Sequence, residues 1–233
     1  VTSTTLTHEQ HRRVAEQGPG TLVAMTEPDL ELEVAWQRHV AADRGPLDGL
    51  LGRHREKHRR YHTATHVAWV IRHIDELSLT EDADHPDELV AAAFYHDAIY
   101  EPTYPANERA SARLARRDLT ALGWQEERCD RVTELIEATE HGAPVSIDPA
   151  GDTAIFLDAD LAVLGADPAG YSAYASAVRS EYRHLDDEEW RSGRTAVLRG
   201  FLERPAIFST VTGRERWEDR ARANISSELA RLS

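Results

Sequence analysis

Apolar residues recur at spacings of three and four along most of this 233-residue chain, and this pattern is typical of amphipathic helices. Within 61–79, for example, Val67, Ile71 and Ile74 would share one helix face. No segment shows the sustained alternation and β-branched enrichment of a half-buried strand. The pattern therefore predicts an all-α fold. Its predicted helices cover residues 28–42, 47–60, 61–79, 86–100, 107–122, 126–140, 153–164, 171–182, 188–202 and 217–232.

The pattern also indicates how the chain is divided. Residues 1–26 are polar and contain Gly18-Pro19-Gly20, so we expect a polar N-terminal segment there and a single all-α domain over 27–233. Four apolar residues near the C-terminus leave two alternatives open, because they would pack either inside the domain or against a second chain in a homodimer. They are Phe201, Leu202, Ile207 and Phe208.

Composition narrows the classes of function. The chain has 27 Lys and Arg against 41 Asp and Glu, a formal net charge of −14. Such a surface would repel phosphates, so no binding to a nucleic-acid scaffold is expected, although a local site for one phosphate is compatible with it. Cys129 is the single cysteine, which fits a reducing compartment. With no long apolar run and no secretory signal, the sequence predicts a cytoplasmic protein without membrane association.

Ionisable residues interrupt the apolar faces of two predicted helices, at His96-Asp97 within AAAFYHDAIY and at Asp158 and Asp160 within FLDADL. A third segment, YHTATHV, carries two histidines four residues apart. Burying such groups without a partner is costly, and a divalent cation can pair with several of them at once. Two imidazoles and two carboxylates form a mixed nitrogen and oxygen site that suits Mn, Fe, Co, Ni, Zn or Mg. The sequence therefore predicts a divalent-metal site.

The order of these motifs resembles the HD superfamily of metal-dependent phosphohydrolases. The segments RRYHTATHV, AAAFYHDAIY, NERASA and LDADLAVLG are similar to a small bacterial branch of it without an assigned substrate, over roughly residues 50–185. The resemblance implies a helical bundle of the HD-domain type. It also implies a metal held by His66, His96, Asp97 and Asp160. The family's ADxL pattern favours Asp160 over the alternative, Asp158.

The segment that carries His62 and His66 resembles a second group of HD-type enzymes. His62 and His66 would share a helix face at a spacing of four, and their segment is similar to the YHNxxHxxDV stretch of cyclic-nucleotide phosphodiesterases. That likeness implies that His66 is the ligand and that His62 is a proton donor or phosphate contact. Thr63 and Trp69 stand where that stretch has Asn and Asp, so the likeness does not extend to the substrate.

Three further residues are candidates for catalysis or substrate binding. Glu108 would face the metal or its water, although an acid is also ordinary in the first turn of a helix. His141 is interpreted as a phosphate contact or second-metal ligand, with a helix-dipole interaction as the alternative. Arg179 suits a substrate phosphate, and surface pairing with Glu181 or Asp186 is its alternative.

Two other patterns are interpreted as structural. His54 and His58 are expected on a solvated basic helix face. A stripe of large side chains is interpreted as packing rather than as a base-stacking platform. Its members are Tyr171, Tyr174, Val178 and Tyr182.

The sequence predicts an enzyme that hydrolyses a small phosphoester, a nucleotide being one candidate. In this hypothesis the metal activates a water, Asp97 borders that water, and His62 protonates the leaving oxygen. Two alternatives stay open: a non-catalytic HD module that binds a nucleotide or metabolite, and a diiron HD-type oxygenase. The resemblance implies that an oxygenase needs extra histidines between Asp97 and Asp160, where the sequence has only His141.

Overall fold

The computed structural model describes residues 27–104, 106–140 and 149–233. Within these ranges it contains ten α-helices, a short 3-10 helix at Ala162–Gly165 and no β-strand. This confirms the predicted all-α fold, whereas the predicted N-terminal segment 1–26 and His141 lie outside the described residues. The helices are α1 (Glu27–His39), α2 (Gly45–His54), α3 (Ala64–Leu77), α4 (Pro86–Tyr95), α5 (Asn107–Ala121), α6 (Glu126–Glu137), α7 (Gly151–Leu161), α8 (Pro168–Glu181), α9 (Asp187–Glu203) and α10 (Val211–Leu232).

Helix α4 lies at the centre of the bundle. Every residue from Glu88 to Tyr95 is buried, and the helix packs against α1, α3, α5, α6 and α7. A helix that is apolar on all sides is expected to be surrounded in this way. Because α4 ends at Tyr95, His96 and Asp97 follow it directly and lie beside the pair formed by α3 and α7, which also pack on each other.

The loop between α2 and α3 departs from the predicted helices over 47–60 and 61–79. Helix α2 ends at His54 and α3 begins at Ala64, because long-range hydrogen bonds hold the loop between them in a non-helical path. Arg59, within this loop, is 3% exposed. Its guanidinium donates to three carbonyl oxygens, those of His62 at 3.1 Å, Asp97 at 2.7 Å and Ala98 at 3.1 Å.

The expected basic face at the end of α2 is not formed as predicted. His54 is 3% exposed, and its Nε2 lies 3.5 Å from the carbonyl oxygen of Phe94 in α4. Burial, aided by the charge of Arg59, lowers the pKa of His54 to about 3. His54 is therefore a neutral core residue, while the half-exposed His58 bonds the carbonyl oxygen of Tyr100 at 2.8 Å.

Three C-terminal helices begin at side-chain caps. Asp167 accepts from the Gly170 N–H before α8, and Thr210 accepts from the N–H of Gly213 before α10. Asp186 and Glu189 form a capping box at α9. Such caps satisfy backbone donors that have no partner inside the helix, so they fix where α8, α9 and α10 start.

The apolar residues near the C-terminus pack inside the chain. Phe201, Ile207 and Phe208 are 5%, 3% and 1% exposed and belong to the hydrophobic core. Leu202 is partly buried and packs against the same core, so the four residues follow the first alternative, packing inside the domain. No helix in the described ranges has the length and apolar character needed to cross a membrane.

Candidate metal centre

Four side chains from three parts of the fold lie close together. His66 lies in the first turn of α3, His96 and Asp97 follow α4, and Asp160 lies in the last turn of α7. The Nε2 atoms of His66 and His96 are 3.1 Å apart. Asp160 Oδ1 lies 3.2 Å from Nε2 of His66 and 3.6 Å from Nε2 of His96. Asp97 Oδ2 lies 3.0 Å from His96 Nε2 and 3.5 Å from His66 Nε2.

These spacings fit a shared divalent ion. Bonds from zinc to imidazole or carboxylate are about 2.0–2.2 Å long, so neighbouring ligand atoms around such an ion are about 3.0–3.5 Å apart. The ligand atoms of His66, His96 and Asp160 all lie within 4.8 Å of one another, and this group could hold a metal ion. Asp97 is not a member of that compact group but approaches both histidines.

The two ring nitrogens of His96 have different partners. Its Nδ1 lies 3.0 Å from the carbonyl oxygen of Ala93, which can only accept a hydrogen bond, so Nδ1 carries a proton. Its Nε2 is thereby the nitrogen that faces the cluster. This is the usual arrangement of a metal-ligating histidine, whose second nitrogen donates to the protein. In His66 the second nitrogen, Nδ1, is buried and has no hydrogen-bond partner among the described residues.

Charge and burial oppose each other in the cluster. Burial would raise the pKa of Asp160, but hydrogen bonds from His66 and His96 lower it below its ordinary value. Burial likewise opposes ionisation of Asp97, and the charges of His96 and His62 hold its pKa well below the usual range. Burial lowers the pKa of His66. Both carboxylates are therefore ionised near neutral pH, and a cation would compete with a proton for the histidine nitrogens.

The two aspartates of α7 have separate roles. Asp160 joins the histidines, whereas Asp158 is 1% exposed and faces the segment before α10. Its carboxylate accepts from the N–H of Ser209 at 2.8 Å, and from the N–H and hydroxyl of Thr210 at 2.8 and 2.7 Å. The geometry thus places Asp160 in the cluster and makes Asp158 a structural anchor.

Another buried carboxylate, that of Glu181, holds the loop that carries His62 beside the cluster. It is 3% exposed, and its Oε1 accepts from the backbone N–H groups of Arg60, Tyr61 and His62 at 2.6, 2.7 and 3.1 Å. Its Oε2 accepts from His62 Nδ1 at 2.6 Å and from the Tyr100 hydroxyl at 3.0 Å. Burial would raise the pKa of Glu181, but the hydrogen bond from His62 and those from the backbone lower it to about 2.

The ring of His62 is held by that carboxylate. Because Nδ1 donates to Glu181, Nε2 is the free nitrogen, and it lies 4.0 Å from Asp97 Oδ2. Burial would lower the pKa of His62, but the charges of Asp97 and Glu181 raise it. His62 is therefore poised to carry a proton on Nε2 beside the cluster.

A cavity of about 580 Å³ adjoins these residues. Its lining includes His62, His96, Asp97 and Asp160. Tyr174, Val178 and Tyr182 also line it. Three of the four residues predicted to be packed in the core therefore form part of the cavity wall. Tyr171 is 2% exposed and bonds Glu228, as packing predicts.

Of the three further candidate residues, one lines the cavity, one does not, and one lies outside the described residues. Glu108 is half-buried and lines the cavity. Arg179 is not part of the lining; its guanidinium donates to the carbonyl oxygen of Tyr182 at 2.9 Å and to Asp187 at 2.9 Å. Arg179 therefore forms a surface ion pair, as its alternative interpretation predicts, but its partner is Asp187 and not Glu181 or Asp186. His141 lies outside the described residues.

Glu181 is a site residue that the sequence motifs do not identify, since they suggest only a surface pair with Arg179. A signal was present, because Tyr171, Tyr174, Val178 and Glu181 follow one another at spacings of three, four and three. An acid that continues an apolar helix stripe is expected to be buried and to need a partner.

Comparison with protein-family models, curated proteins and solved structures gave no match for this chain. The resemblance to the HD superfamily therefore stays a prediction from sequence.

Proposed function

We propose that this protein is a metal-dependent phosphohydrolase that acts on a small phosphoester. The observation that carries the proposal is the convergence of His66, His96, Asp97 and Asp160 at a cavity that also receives His62. A divalent ion held by the four residues would lower the pKa of water and offset negative charge on phosphoryl oxygens.

The protein's own residues supply the rest of the proposed chemistry. His62, with Nδ1 bonded to Glu181, would give the proton on Nε2 to the leaving oxygen. Asp97 is 20% exposed at its side chain and borders both His62 and the histidine pair, which suits it to orient the attacking water. Glu108 lines the same cavity and is the second carboxylate able to accept a proton from that water.

Elemental analysis and turnover test the proposal together. Protein purified without chelator is analysed for bound metal, then stripped and reloaded with Mn, Co, Ni, Mg or Fe. Each form is assayed with phosphomonoesters, phosphodiesters and nucleotides. We expect Asp97→Ala to lose retained metal and turnover together, while Asp75→Ala, at an exposed aspartate of α3, keeps both.

Three results would redirect the proposal. Normal turnover by Asp97→Ala would refute it. A nucleotide that binds tightly and is recovered unchanged after long incubation with metal would favour the non-catalytic binding module. Two irons per chain with a mixed-valence signal would favour the diiron oxygenase.

A further inference from the structure

The cavity beside the metal centre is large for a phosphate alone. Its volume of about 580 Å³ falls within the range of about 300–1,000 Å³ that is usual for pockets holding drug-sized ligands. The same space is lined by ligands of the metal centre and by side chains of α8 and α9. A substrate bound there through its phosphoryl group would extend its organic part along these two helices.

Aromatic side chains form much of this wall. Tyr182 and Trp190 lie with ring centroids 5.7 Å apart, and Tyr174 lies 4.8 Å from Tyr61. All four residues line the cavity, together with Tyr100. Aromatic faces of this kind stack on planar groups, and such stacking tolerates many different rings.

Away from the metal centre and His62, the charges of the wall disfavour a second phosphate. Besides Asp97 and Asp160, the lining includes Glu108 and Glu140. Among the described residues, Arg194 is the only Arg or Lys of the lining. Its guanidinium is already bound, with Nε 2.9 Å and Nη2 3.2 Å from the two oxygens of Glu228. Nη1 donates to the hydroxyl of Tyr174 at 3.2 Å.

From these observations we infer that the substrate is a monoester with one phosphoryl group and a planar aromatic organic part. The inference rests on the proposed function, because it places the phosphoryl group at the metal centre. The aromatic part lies against the rings of Tyr182 and Trp190, which both line the cavity. Chains of two or three phosphates are disfavoured, because the carboxylates repel them and Arg194 is engaged by Glu228.

Binding of phosphonates, which are not hydrolysed, tests this without relying on turnover. Calorimetry on the Mn²⁺-loaded protein compares methylphosphonate, naphthylmethylphosphonate and a naphthylmethyl analogue with one further phosphate, all at the same free Mn²⁺. We expect the naphthyl compound to bind about tenfold more tightly than the methyl compound. The analogue with the second phosphate should bind more weakly than the naphthyl monophosphonate.

Substitutions in the cavity wall test whether the preference for the naphthyl compound arises there. Trp190→Ala and, separately, Tyr182→Ala should each reduce the naphthyl-to-methyl ratio severalfold. The matched control is Trp124→Ala, since Trp124 is also half-buried and stacks on an arginine but does not line the cavity; it should keep the ratio.

The outcomes separate the inference from the proposed function. Equal binding of the two monophosphonates, or tighter binding of the compound with two phosphates, overturns the inference and leaves the hydrolase intact. Aromatic preference in a protein that hydrolyses no ester removes the proposed function and supports only the ligand class, a monophosphorylated aromatic compound that is bound and not hydrolysed. Absence of any phosphonate binding to metal-loaded protein overturns the inference, and the turnover assay decides the proposed function separately.

Discussion

Glu181 Oε2 and His62 Nδ1 are 2.6 Å apart, and this hydrogen bond links the end of α8 to the loop before α3. The same carboxylate also accepts three backbone N–H groups of that loop. A single buried side chain thus sets both the path of the loop and the direction of the imidazole.

Replacement of Glu181 should separate proton donation from metal binding. Glu181→Gln removes the charge that holds His62 protonated and oriented, so kcat for phosphoesters with poor alkyl leaving groups should fall by about 100-fold or more. Esters of p-nitrophenol need little protonation and should lose much less. Steady-state kinetics on both ester types, with metal content measured in parallel, checks this.

The control for that experiment is Glu203→Gln, at an exposed glutamate of α9, which should match the wild type. If Glu181→Gln slows both ester types equally, or loses its metal, the carboxylate acts on the site as a whole and not through His62.

The two aspartates of α7 offer a direct test of the ligand assignment. Asp160→Asn should lose bound metal on dialysis, because it removes an anionic ligand of the cluster. Asp158→Asn should keep the metal but destabilise the fold by about 1–3 kcal/mol, since an amide cannot accept all the hydrogen bonds from Ser209 and Thr210. Elemental analysis and thermal unfolding of both variants decide between them; the reverse pattern would make Asp158 the ligand.

Buried His54 should make the fold sensitive to acid. Its pKa is lowered from 6.5 to about 3, so below pH 6.5 the unfolded chain binds a proton that the folded chain excludes. Stability is therefore lost as the pH falls from 6.5 toward 3, by at most about 1.4 kcal/mol per pH unit from this group.

Urea unfolding at pH 7, 6 and 5 measures that loss. His54→Gln should reduce the slope of stability against pH, because other titrating groups are shared by both proteins. His184→Gln, at an exposed histidine, should keep the wild-type slope. An unchanged slope in His54→Gln would show that His54 titrates normally.

Two helical glycines should respond in opposite directions to alanine. A Cβ at Gly165 would collide with the backbone and side chain of Trp217, where α10 crosses the 3-10 helix, so Gly165→Ala should destabilise the protein by about 1–3 kcal/mol. Gly200 lies in α9 with open space around its Cβ position. Gly200→Ala should therefore stabilise it by about 0.5–1 kcal/mol, and chemical denaturation of both variants tests the pair.

The sequence was sufficient for the parts of the site that lie on strong local patterns. His96 and Asp97 follow an unusually apolar run, and Asp160 interrupts another, so their placement beside the core could be predicted. The 55–63 loop could not be predicted in this way, because helical spacing continues through it and its non-helical path depends on Arg59 and Glu181. Those contacts join residues far apart in the chain, which local periodicity does not reveal.

Arg179 and Glu181 also show that local periodicity does not reveal which charged residues are buried. Both lie near the end of α8 and both are charged, but only Glu181 turns inward, where it meets His62 and Tyr100. Propensity assigns the helix, whereas the packing of α8 beside the loop decides which of the two charges is buried.

The position of Glu181 in the chain sets an order of events during synthesis. All four residues of the cluster precede residue 161, so they leave the ribosome before α8, which begins at Pro168. Until α8 docks, the loop that carries His62 lacks the carboxylate that fixes it. The four residues of the cluster are thus synthesised before the helix that holds His62 beside them, so the carboxylate of Glu181 is the last of these groups to join the chain.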